Sequence, residues 1–93
     1  MGVLTICTDL SASDPRRARL DAALQVDHGA CRVLGSTWAV FTNDPPAKWH
    51  ARVRRVLGAD HPVLVVGLMS SLSGHLPDAA MAWLDRHLGP ARE

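Results

Sequence analysis

Arginine carries most of the chemistry this sequence can offer. Arg16, Arg17 and Arg19 cluster behind Pro15, and Lys48, Arg52, Arg54 and Arg55 cluster behind Pro46. A guanidinium meets two phosphate oxygens at once, so either cluster can grip a phosphate backbone. Each cluster also reads as an ordinary solvated helix face, and Asp14, Asp21 and Asp27 offset the first. His28, His50, His61, His75 and His87 show no HxH, HxxH or HExxH spacing, which argues against zinc and reads them as surface residues. Cys7 and Cys31 form no CxxC pair and read as small apolar fillers. Ser70, Ser71, Ser73 and Gly74 lack a GxSxG or phosphate-loop pattern and read as a linker. Trp38, Trp49 and Trp83 have faces on which bases can stack, but the first two sit where a strand and a helix need core bulk.

These side chains must be positioned by short elements. Val3 to Thr8 is rich in β-branched residues and predicts a strand, with Leu4 and Ile6 on one face and Val3, Thr5 and Cys7 on the other. Ser13 or Asp14 can cap a helix opened by Pro15, with Leu20, Ala23 and Leu24 as its apolar stripe and His28-Gly29 as its close. Ala30 to Leu34 and Thr37 to Thr42 predict a hairpin broken at Gly35-Ser36. Asn43-Asp44-Pro45-Pro46 repeats the cap-then-proline signal, and Trp49, Val53, Val56 and Leu57 recur at helical spacing before Gly58. Pro62 to Leu68 is a continuous apolar run, expected to be a strand buried on both faces. Pro77 opens a last helix, about 77–88, with Met81, Leu84 and Leu88 on its stripe, Trp83 off it and Gly89-Pro90 beyond.

The order β-α-β-β-α-β plus a C-terminal helix predicts an α+β, ferredoxin-like domain with a four-stranded antiparallel sheet. Two helices then cover one face only. The other face needs a partner, and a second copy in a homodimer is the simplest one. A chain of 93 residues has room for one domain, and 47% hydrophobic against 20% charged residues is the balance of a folding chain. A net charge of +1 excludes the strong basic field of a nucleic-acid-coating protein, so any nucleic-acid site must be local. The N-terminus has no basic leader and no apolar run approaches the roughly 18 residues that span a bilayer. Together with so few cysteines, this predicts a soluble, cytoplasmic protein without a membrane partner.

Four features then stand in a familiar order: Asp9 after the first strand, the run Asp14-Pro15-Arg16-Arg17-Ala18-Arg19-Leu20, the strand Cys31-Arg32-Val33, and Ser36-Thr37-Trp38. This order resembles Cas2, the small CRISPR-associated protein family, over Val3 to Leu68. The Ser-Thr-Trp triplet is also similar to stand-alone Cas2-like proteins outside CRISPR loci, some named SinR-like. Thr8 departs from the family, which often has Tyr before the Asp. The resemblance implies a homodimer that binds DNA or RNA. In members that are endonucleases it implies a divalent metal, Mg²⁺ or Mn²⁺, between the strand-end aspartates of two subunits. Asp9 is then the catalytic and metal-binding residue, Ser36 lines the cleft, and Arg16 and Arg17 contact phosphate. By its own chemistry Asp9 equally reads as a loop cap accepting amides from Ser11 or Ala12. Fold alone does not separate a phosphodiester-cleaving enzyme from a non-enzymatic dimeric module that holds a protein partner, and a toxin-type ribonuclease of the same fold is a third expectation.

Overall fold

β-Branched residues dominate the N-terminal run, and they form β1 (Gly2–Thr8). A computed structural model describes residues 2–25, 29–69 and 72–88. After β1 come α1 (Pro15–Gln25), β2 (Ala30–Leu34), β3 (Thr37–Thr42), α2 (Pro46–Leu57), β4 (Val63–Leu68) and α3 (Asp78–Leu88). The chain is an α+β unit with a four-stranded sheet in the order β2-β3-β1-β4. Every strand pair is antiparallel. Asp27 and His28, the Ser70-Ser71 part of the linker and Gly89-Pro90 lie outside the described residues.

Local chemistry explains the element ends. Asp14 Oδ1 accepts the Arg16 amide at 2.9 Å, one turn-opening bond that satisfies an orphan donor of α1. The second proline-opened helix behaves differently: Pro45 occupies the cap position without a side-chain bond, and Asp44 engages Lys48 and Arg52 instead. Gly58 ends α2 at φ 95, a backbone region closed to most side chains, and its amide returns to the Arg54 carbonyl at 2.8 Å. Gly35-Ser36 joins β2 to β3, and the register slips between Arg32 and Leu34 as one residue bulges.

Side-chain alternation builds two cores. On one face Leu4, Ile6, Trp38 and Val40 pack against Leu20 and Leu24 of α1 and Trp49, Val53 and Leu57 of α2. Trp38 donates its indole N–H to Asp21 Oδ1 at 2.9 Å and Trp49 donates to Thr42 Oγ1 at 3.2 Å, so both rings are buried without an orphan donor. On the other face Val3, Val33 and Ala39 pack against Ala80, Trp83 and Leu84 of α3. The first two helices leave that second face uncovered, and a second copy was its expected cover. The face is partly roofed by α3 because Trp83, rather than standing off the helix stripe, is buried and anchors it.

β4 departs from its expectation as well. Its apolar run predicted burial on both faces, but β4 is an edge strand, with Leu64 59% and Val66 37% exposed. Register places Leu64 beside Cys7 and Val66 beside Thr5, on the α3 side of the sheet, and α3 lies over β2, β3 and the start of β1 instead. Among the described residues no helix is long and apolar enough to cross a membrane.

Candidate nucleic-acid interface

The end of β1 is stapled to the β2–β3 turn. Thr8 donates its amide and its hydroxyl to the Ser36 carbonyl at 3.0 and 2.9 Å, and Ser36 Oγ donates to the Thr8 carbonyl at 2.9 Å. Ser36 is therefore fastened to Thr8, the residue before Asp9, with its hydroxyl proton committed to the staple. Leu10 turns inward and is buried, which throws Asp9 outward with its side chain 72% exposed. Among the described residues neither Ser11 nor Ala12 donates to the Asp9 carboxylate. The Leu10 amide goes to Thr8 Oγ1 and the Asp14 amide to the Ser11 carbonyl, so the loop is capped without Asp9.

Asp9 instead faces His61. Its Oδ1 stands 3.0 Å from His61 Nε2, an approach without hydrogen-bond alignment that becomes an ion pair when the ring is protonated. His61, expected at the surface, is mostly buried, with its side chain 14% exposed. Antiparallel pairing of Thr8 with Val63 carries the residues before β4 past the end of β1. That register, which no motif search reveals, is the signal that would have found it. His87 also departs from a surface role: its ring stacks at 4.1 Å on Trp83 and its Nδ1 lies 2.9 Å from the Trp83 carbonyl.

The arginines divide sharply by partner. Arg16 lies on Asp14, with Nε at 3.1 Å from Oδ1 and an Nη at 2.7 Å from Oδ2, and its other Nη donates to the Leu57 carbonyl at 3.0 Å. It is a strut between the start of α1 and the end of α2. The guanidinium and the Arg16 amide together hold the Asp14 carboxyl at about 2, well below its ordinary value. Arg52 is likewise engaged, donating to Asp44 at 2.8 Å and lying 4.5 Å over the Trp49 ring. Arg17, Arg19, Arg54 and Arg55 have no ion pair among the described residues. Arg19, Arg54 and Arg55 are exposed, and Arg17 is half-buried.

A hard divalent cation needs several oxygen ligands. Asp9 and His61 face each other at the β1 end, and among the described residues no three His, Cys, Asp or Glu side chains converge. The described residues of one copy do not by themselves make a site for such an ion. Cys7 and Cys31 are free thiols on strands separated by β3, and burial pushes the Cys31 thiol up. No protein-family model matches this chain, and no curated protein sequence matches it.

Proposed function

We propose that the chain is a Cas2-like, nucleic-acid-binding homodimer built on a ferredoxin-like sheet and working in a reducing cytoplasm. The sheet order and the placement of α1 and α2 together on one face are compatible with that topology. One observation carries the binding function: the net charge of +1 conceals a lopsided distribution. α1 and α2, side by side, bear Arg16, Arg17, Arg19, Lys48, Arg52, Arg54 and Arg55 against Asp21, with Asp14 and Asp44 at their N-terminal ends. The remaining acids in the described residues lie elsewhere, at Asp9, Asp60, Asp78 and Asp85. Such a surface attracts phosphate although the whole chain is nearly neutral.

Metal-dependent hydrolysis of DNA or RNA extends this reading. It requires the Asp9 carboxylates of two copies in one cleft, since the described residues of one protomer bring no three such ligands together. A non-enzymatic scaffold is favoured by a specific observation: Ser36 and Arg16, two of the residues expected to face substrate, hold the fold together. The test pairs fluorescence anisotropy of labelled single- and double-stranded RNA and DNA with sedimentation of the same samples. A dimer that binds tightly at low salt and loses affinity steeply as salt rises is the expected result. Absence of binding at low salt rejects the reading. Adding Mg²⁺ or Mn²⁺ and comparing wild type with Asp9→Ala then assigns cleavage: activity lost in the variant makes the protein an endonuclease, and no difference leaves it a scaffold.

A further inference from the structure

A cavity of about 420 Å³ opens to solvent between the start of α1 and the edge strand β2. Asp14, Arg17, Ala18 and Asp21 line its helix side, spaced so that they share one face of α1. Arg32 reaches it from β2. Arg32 pairs in register with Trp38 and so projects to the same side of the sheet as that buried indole.

Its charges are not evenly available. Asp14 is saturated by Arg16, and one oxygen of Asp21 takes the Trp38 indole N–H. The Arg17 amide donates to the Asp14 carbonyl, but its guanidinium has no hydrogen-bonding or ionic partner among the described residues. Arg32 gives a single long bond, 3.3 Å to the Gly35 carbonyl, and keeps its other donors. Two guanidinium groups from different elements therefore face one cavity whose remaining formal negative charge is Asp21. The surplus is a single positive charge, which matches a phosphodiester, a monoanion with two free oxygens, and planar guanidinium groups are the side chains best shaped for those oxygens.

We propose that this cleft is a phosphodiester-binding site, with Arg17 and Arg32 as its grip, and that a nucleic-acid backbone enters it. The last clause rests on the nucleic-acid reading above; the site itself does not. Arg32 is the new member. Arg16, adjacent to Arg17 in sequence, is excluded because its donors are already committed to Asp14 and Leu57.

The Trp38 indole N–H, bonded to Asp21 in the cleft, is a built-in reporter. Titration of ¹⁵N-labelled protein with dimethyl phosphate should shift the Trp38 indole resonance saturably and leave those of Trp49 and Trp83 in place. The double variant Arg17→Gln/Arg32→Gln should abolish the shift, and Arg19→Gln, on the exposed side of α1, should not. A Trp38 resonance that stays still, or that moves equally in the double variant, overturns the site. In a second arm, labelled single-stranded RNA should bind the double variant about tenfold or more weakly. The slope of log affinity against log salt should fall by about 0.7 for each arginine removed. RNA binding with unchanged affinity and slope overturns the cleft as the contact while the nucleic-acid reading survives. A dimethyl phosphate response without any RNA binding by the wild type supports the cleft and rejects that reading.

Discussion

Asp14 does two jobs with one carboxylate. It caps α1 through the Arg16 amide and fixes the Arg16 guanidinium that bridges to the end of α2. Both jobs need the charged form, which is why the carboxyl titrates near 2 instead of 3.8. A carboxyl depressed on folding contributes stability above its unfolded value, and that contribution disappears as pH falls from about 4 through 2. Wild type should therefore melt at a higher temperature than Asp14→Ala near neutral pH, and the gap between their melting curves should close across that acid window. A gap unchanged down to pH 2 would show that Asp14 acts through packing alone. At this scale part of the site was legible in the sequence. The arginines announce themselves by type and spacing, but which of them is free depends on Leu57 and Asp14 arriving beside Arg16, and Leu57 is distant in sequence. Asp9 was legible as a strand-end carboxylate; its neighbour His61 was not, since only strand register brings the two together.

Elements were legible where local chemistry decides them. β2 and β3 keep the boundaries expected from the Gly35-Ser36 break, and α1 opens where Asp14-Pro15 says it should. Their layering was less legible, because periodicity states which side of a helix is apolar and not what that side meets. α3 shows the difference. The stripe Met81, Leu84 and Leu88 suggested one face, but burial centres on Ala80, Trp83 and Leu84, rotating the helix so that Trp83 meets the sheet. Trp83→Ala should cost about 3 kcal/mol, at the low end of the range for a buried tryptophan because the ring keeps some exposure. The loss should appear first as faster amide exchange across α3, with the opposite core of Trp38 and Trp49 still protected. Equal loss of protection on both faces would mean that the two cores unfold as one unit.

The whole molecule has three unlike surfaces. Basic helices cover one face, α3 roofs part of the other, and Leu64 and Val66 stand in the strip that α3 leaves open. If the proposed homodimer uses that strip, Leu64→Lys should convert it to monomer in sedimentation velocity. Its melting temperature in dilute solution should stay close to that of the wild type, because an exposed side chain contributes within about 0.5 kcal/mol to the monomer fold. A variant that remains dimeric places the twofold axis elsewhere. The same strand has a second consequence, one of colloidal behaviour. β4 is paired only to β1, so its outer row of amides and carbonyls is a template for another extended chain. Its sequence, VLVVGL, is uncharged, β-prone and free of proline. No lysine guards it; Pro62 stands just before it. Concentrated or heated samples should therefore age into ordered fibrils seeded along this edge, and whatever keeps β4 covered will also set how long the protein stays in solution.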